Sequence, residues 1–281
     1  MNRAEELVER YDYAIVDRAG LASEPWHDEM PLIPLVPKVL RSDAEKMPAL
    51  LALKSLKKPH LALLDSNLEE AEKKPFVNFM SCLLILRSGT EEKSIIHHLM
   101  AHLVLHTPQD DVLLRYYDPR VFPHLWEILR PSQMLSLYGP VKVWAFRFQN
   151  EWVGQRAPRS ETVKQYWSVT AEQREKLDRV MLINEILALR KMKMDRPWYD
   201  VEEYEDARIK VGAALERARR DYGLRAESDL TQFALDTLAY GENFHLHPRI
   251  RGLLQEMQKK RMSYIAATAN VKETDWAQIA V

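Results

Sequence analysis

Leu113-Leu114-Arg115-Tyr116-Tyr117-Asp118-Pro119-Arg120 packs an apolar strand, an arginine inside it, an aromatic pair and an Asp-Pro-Arg turn into one short run. Asp118 before Pro119 is a helix-start signal. The carboxylate can accept from orphan backbone N–H groups, and proline fits the first helical position, where no N–H is needed. Arg115 and Arg120 bracket the turn with charge that a purely structural turn does not require. A few residues on, Pro123 falls inside the short helix that would begin at Pro119. Its missing N–H breaks a helical bond, so a kink or restart is predicted there.

Around this stretch the composition is that of a soluble globular protein. The 281 residues suffice for one large domain or two ordinary ones, with 46% hydrophobic and 29% charged residues. Lys and Arg number 40 against 41 Asp and Glu, so no global field favours nucleic acid or an acidic membrane surface. Met1-Asn2-Arg3-Ala4-Glu5-Glu6 reads as a charged helical start rather than a signal peptide. No apolar run approaches the roughly 20 residues of a membrane span. A cytoplasmic location is expected. The single cysteine, Cys82, lies in an apolar run, cannot form an internal disulfide, and reads as a small buried hydrophobe. None of the 8 glycines stands in a phosphate-cradling spacing, and no cofactor is expected.

The first half alternates short apolar runs with helical patterns. Tyr13-Ala14-Ile15-Val16 before Asp17 and Leu61-Ala62-Leu63-Leu64 before Asp65 both read as a strand running into an acidic turn. Further strands are predicted over 32–36, 79–86, 112–117 and 141–148. These runs are separated by helices, so residues 1–155 are expected to form an α/β lobe with a mixed, partly parallel sheet and flanking helices. Pro25, Pro31, Pro34 and Pro37 make residues 24–38 irregular. Ser88 with Glu91 fits a capping box for the helix after Gly89. Gly154-Gln155-Arg156-Ala157-Pro158-Arg159-Ser160 is polar and aperiodic and reads as a linker.

Residues 156–281 read as an all-α lobe. Thr170 with Gln173 forms a capping box for a helix running to about Met194, which Pro197 stops. Val201, Tyr204, Arg208, Val211, Leu215, Ala218 and Tyr222 form a heptad-like seam, closed by Gly223 as a left-handed cap. Leu230, Phe233, Ala234 and Leu238 make a second stripe that ends at Gly241. A last helix over 248–262 carries Lys259, Lys260 and Arg261 at its C-terminal end, where the dipole favours cations.

Candidates for chemistry are few. His98, His102 and His106, with His97 beside them, stack at four-residue steps if one helix carries them, a spacing that could grip a metal for a hydrolase. They flank the apolar stripe Ile95, Ile96, Leu99 and Leu103, however, and no H-E-x-x-H glutamate accompanies them, so a structural role is favoured. His245 and His247 lack further ligands and fit loop packing. No serine lies in a nucleophile elbow, and the run Arg217, Arg219, Arg220 is offset by Glu216 and Asp221, against nucleic-acid binding. Trp144, Phe146 and Phe148 alternate on one strand face as core packing does, although Tyr, Trp and Arg are also the residues enriched at protein–protein hot spots.

Residues 113–120 and their flanks resemble the signature of the Tap or Tec adaptor-chaperones of bacterial type VI secretion. The resemblance includes the first strand ending at Asp17, the basic-aromatic-Asp-Pro-Arg motif, and the strand Tyr138-Gly139-Pro140-Val141-Lys142-Val143-Trp144. It extends to Asp221-Tyr222-Gly223-Leu224, Ser228-Asp229-Leu230 and Phe233-Ala234. It implies a cytoplasmic, non-enzymatic adaptor that binds a toxin effector and helps mount it on the VgrG spike, with no nucleic-acid or membrane partner. Arg115, Tyr116, Tyr117, Asp118, Pro119 and Arg120 take the signature positions, as partner contacts or as organisers of the fold. In the second role Arg115 would pair with Asp17 or Asp118. The rivals are the metal-dependent hydrolase and a helical scaffold self-associating through the 201–222 seam.

Overall fold

The computed structural model describes residues 2–18, 29–73, 80–106, 111–148, 151–158, 167–194, 198 and 200–279. The expectations placed on Pro25, Phe79, Arg159, Ser160 and Pro197 lie outside them. The chain divides into two compact units, 1–177 and 178–281, later along the chain than the 155/156 boundary read from the linker.

The first unit is built on one sheet. Its strands are β1 (Tyr13–Val16), β2 (Leu32–Pro34), β3 (Ala49–Ala52) and β4 (Met80–Leu86). A two-stranded ribbon follows, β5 (Val104–His106) with β6 (Asp111–Leu113), and then β7 (Val141–Phe148) and β8 (Glu151–Arg156) return to the main sheet. The six strands run in the order β2-β3-β1-β4-β7-β8, and every pairing between them is antiparallel. The expected mixed, partly parallel sheet is therefore corrected. Continuous apolar runs report burial on both faces, and this sheet has that without parallel pairing. Ile15, Leu50, Cys82, Leu84, Trp144 and Phe146 face one core, while Ala14, Val16, Leu51, Leu83 and Ala145 face a second. The helical connection between β3 and β4 does join strands of the same direction, but β1 lies between them and is antiparallel to both. Cys82 is fully buried, and burial pushes its thiol well above the ordinary range.

Helices α1 (Arg3–Arg10) and α2 (Lys58–Lys73) cover the second core. Asn2 and Glu5 form a reciprocal capping box on α1. Leu61-Ala62-Leu63-Leu64, expected as a strand, lies inside α2, where Leu64, Leu68 and Ala71 bury at helical spacing. The first core is covered by α3 (Glu92–His102), α4 (Phe122–Ile128) and α5 (Pro131–Tyr138). The expected Ser88–Glu91 capping box does not form: Glu91 is the N-cap of α3 and makes no side-chain cap. Residues 154–156 are not linker but the end of β8, with Gly154 opposite Ala145. They read as linker because β8 is an edge strand with a polar outer side. Helix α6 (Ala171–Asp178) starts at the expected capping box, Thr170 Oγ1 accepting from Gln173 N and Gln173 Oε1 from Thr170 N.

The second unit is helical: α7 (Val180–Met194), α8 (Val201–Asp221), α9 (Glu227–Tyr240), α10 (Pro248–Lys260), α11 (Tyr264–Thr268) and α12 (Glu273–Ile279). The helix expected from Thr170 to Met194 is thus two helices meeting at Arg179. The 201–222 seam is occupied within the chain: Arg208, Val211, Leu215 and Ala218 are buried, and α8 packs on α7 and α9. Gly223, at φ +69°, ends α8, with Leu224 N donating to Ala218 O. Among the described residues no helix is long and apolar enough to cross a membrane.

Candidate functional site

The 113–120 stretch folds as an extended segment leaving β6, then a tight turn, then α4. The helix does not begin at Pro119. Residues 116–121 are turn, and α4 opens at Phe122 with Pro123 in its first turn, where a missing N–H costs nothing. Asp118 closes that turn. Its carbonyl accepts from Val121 N and Phe122 N, and its carboxylate accepts from Arg120, two residues ahead.

Asp118 is the hub of a charged cluster. Its Oδ1 accepts from the backbone N of Arg120 at 2.9 Å and from Arg120 Nε at 3.0 Å, and its Oδ2 accepts from Arg120 Nη2 at 2.8 Å. Arg115 Nη2 donates to Asp17 Oδ2 at 2.5 Å and stands 3.5 Å from Asp118 Oδ2. Two guanidiniums and two carboxylates therefore offset one another. Burial raises the Asp118 carboxyl, but the Arg120 hydrogen bonds and the Arg120 and Arg115 charges outweigh it and hold the group below the usual range. The Arg115 guanidinium also lies over the Tyr117 ring, 5.7 Å from its centroid.

The signature residues divide into two sets. Tyr116 and Tyr117 are fully buried and Asp118 nearly so. The Tyr116 hydroxyl donates to Leu99 O at 2.9 Å, and its ring meets Trp144 edge-on at 5.5 Å. Phe122 stacks on Trp144 at 5.5 Å and packs on Phe146 at 4.3 Å, so Trp144 and Phe146 of the alternating aromatics of β7 belong to the core, while Phe148 is half-buried. Burial raises the Tyr117 phenol far above its ordinary range. These groups organise the fold. Arg120 is exposed, Pro119 half-buried, and the Arg115 side chain keeps 36% of its surface in solvent.

Beside Arg115 opens a pocket of about 300 Å³, lined by Leu40, Asp43, Lys46, Met47, Leu113, Arg115 and Tyr117. Its wall comes from the 3₁₀ segment Lys38–Lys46, where Asp43 and Lys46 pair at 2.8 Å. Sequence reasoning missed this wall, since its residues lie some way back along the chain and carry no motif. The lining thus combines the apolar Leu40, Met47 and Leu113 and the Tyr117 ring with the charged Asp43, Lys46 and Arg115.

The three histidines are not brought together as a set: the His98 and His102 rings lie 4.3 Å apart, but His106 is elsewhere. α3 ends at His102, and His106 terminates β5, where it pairs with Asp111 at 2.7 Å. His98 Nε2 donates to Leu137 O at 2.9 Å, and His102 Nδ1 donates to His98 O at 2.9 Å, leaving His102 Nε2 to accept from the Ser136 hydroxyl at 3.2 Å. Burial, with the neighbouring His102, pulls His98 down to about 4, and burial lowers His102 too. Among the described residues no group of three or more His, Cys, Asp or Glu side chains is arranged to hold a metal. The imidazoles tie α3 to α5. His245 is likewise buried, its Nδ1 bonded to the Tyr222 hydroxyl at 2.7 Å.

A second polar knot holds the segment after residue 166. Gln133 Nε2 donates to Ser168 O at 2.6 Å, and Gln173 Nε2 donates to Ile128 O and Gln133 Oε1, both at 2.8 Å. The Thr170–Gln173 spacing revealed half of this knot; Gln133 carried no signal of its own.

Residues 13–135 match the model of a family described as a domain of unknown function, DUF4123. The matched segment runs from the start of β1 into α5 and takes in the whole Asp17–Arg115–Asp118–Arg120 cluster. No curated protein and no solved structure matches the chain.

Proposed function

We propose that this chain is a type VI secretion adaptor: a cytoplasmic, non-catalytic protein that holds a toxin effector and helps seat it on the VgrG spike. The observation that carries the reading is the signature stretch 113–120 with its braced turn, which lies within the residues 13–135 matched by the family of unknown function. The likeness of residues 113–120 and 138–144 to the adaptor signature supports it. So does the physical character of the turn. Buried Tyr116, Tyr117 and Asp118 hold it rigid, while Arg120 stays at the surface and Arg115 is part-exposed at the edge of a pocket with Leu40, Met47 and Leu113 in its lining. Arginine fixed in advance next to such a depression loses little freedom on binding, which favours a protein hot spot.

The test is affinity capture from the native cell with tagged wild-type protein and Arg115→Ala. Wild type is expected to retrieve a toxin-like protein together with a spike component. Arg115→Ala gives up a partly exposed ion pair costing about 1 kcal/mol, while Asp118 keeps Arg120, so the variant stays folded and loses the effector. Retrieval of neither class of protein by wild type overturns the reading.

A further inference from the structure

Helix α7 carries two faces with apolar side chains, and among the described residues the chain covers one of them. Val180, Ile183, Ile186 and Leu187 are buried, and the helix packs on α8 and α9. On the opposite side Met181 is 72% exposed, Met192 77% and Leu189 40%, with exposed Ala188 between them. At about 100° per residue, Met181, Ala188 and Met192 fall on one line and Leu189 lies beside it. Exposed apolar side chains gathered on one helix face, opposite a buried one, mark a surface for a further contact. Met is adaptable, and Met-rich surfaces accept helical partners of varied shape.

The charges around this face choose the occupant. Lys191 and Lys193 are exposed and flank the stripe on its two sides at the C-terminal turn, whereas the exposed Glu185 stands within the face, between the Met181 line and Leu189 and nearer the N-terminal end, where it suits a partner cation. From Met181 to Met192 the face is roughly 16 Å long, three turns of helix. We infer that the outer face of α7 is a docking surface for an amphipathic helix of a partner protein, laid antiparallel with acidic residues over Lys191 and Lys193. Acidic residues concentrate in the first turn of helices, so this orientation pairs the partner's N-terminal turn with the lysines and opposes the two macrodipoles favourably. The partner is the bound effector, and in that respect the inference rests on the adaptor reading; the surface itself does not.

The experiment uses the full-length chain and two fluorescein-labelled helical peptides. Both carry leucines at i, i+4, i+7 and i+11; one has glutamates in its first turn and the other lysines. The glutamate peptide is expected to bind more tightly, to lose about tenfold or more against Met181→Asp/Met192→Asp, and to give up its advantage over the lysine peptide against Lys191→Glu/Lys193→Glu. Equal binding of the two peptides, or binding indifferent to the methionine change, overturns the inference. So does a chain that dimerises through Met181 and Met192 in light scattering. Cell capture with the methionine variant separates the two readings. If it retrieves the effector as well as wild type does, the α7 proposal fails and the adaptor reading stands. If wild type retrieves none, the adaptor reading fails and the peptides alone decide the surface.

Discussion

Replacing Gly139 with alanine tests the packing behind the signature turn. Gly139 ends α5 at φ +47° and ψ −113°, a region that side chains rarely enter. An added Cβ would stand 2.2 Å from His98 Cε1, 2.7 Å from Nδ1 and 2.8 Å from Nε2. The ring has little room to retreat, held by its bond to Leu137 O and by the His102 ring 4.3 Å away. Two costs follow. Backbone strain contributes about 1–3 kcal/mol, and forcing the imidazole aside contributes a further ~1–3 kcal/mol. At 2–4 °C per kcal/mol for a unit of this size, their sum of roughly 4 kcal/mol lowers the melting temperature by about 8–16 °C. The assay is a double-mutant cycle with His98→Ala, followed by near-ultraviolet circular dichroism of the aromatic core. Removing the ring abolishes the clash and leaves the strain, so the double variant should regain the ~1–3 kcal/mol steric part as coupling energy. Strict additivity, or a Gly139→Ala protein melting with wild type, refutes the packing argument.

The same histidine makes stability depend on pH. His98 titrates near 6.5 when unfolded and at about 4 when folded, so between those values the unfolded chain binds the extra proton. Its contribution is fully present above pH 6.5 and is lost as pH falls, by about 3 kcal/mol at pH 4. Urea midpoints from pH 7 to 4.5 should fall more steeply for wild type than for His98→Ala; parallel slopes would remove this account. Asp118→Ala takes away the acceptor of a buried cluster and should cost ~2–3 kcal/mol, whereas Arg120→Ala leaves Asp118 its backbone bond and Arg115 and should cost less. The reverse order in chemical denaturation would show that the turn is not organised by the carboxylate.

The parts of this fold legible from sequence are those decided locally. Strand β1, the Thr170–Gln173 capping box, the buried α8 seam and the Gly223 cap each follow from a few neighbouring residues. Strand direction does not, because a run buried on two faces looks the same whichever way its neighbour points. Edge strand β8 was hidden by its polar side, and the helix expected at Pro119 waits for Phe122 because Asp118 spends its hydrogen bonds on the turn. The site was half visible. The sequence offers Asp17 or Asp118 as partner of Arg115, while the pocket wall from the 3₁₀ segment and the partner of Gln173 depend on folding that no short pattern encodes. The three histidines share a spacing but not a helix, since α3 ends where the third would need another turn.

The burial of Cys82 has a practical side. The chain's one thiol is sealed in the sheet and held protonated, so maleimide and other thiolate-seeking reagents have no native target in the folded protein. A cysteine installed at Met192 or Arg120 would be the sole reactive handle without first deleting Cys82. Spin labels, fluorophores or crosslinkers could then report separately on the α7 face and the signature turn.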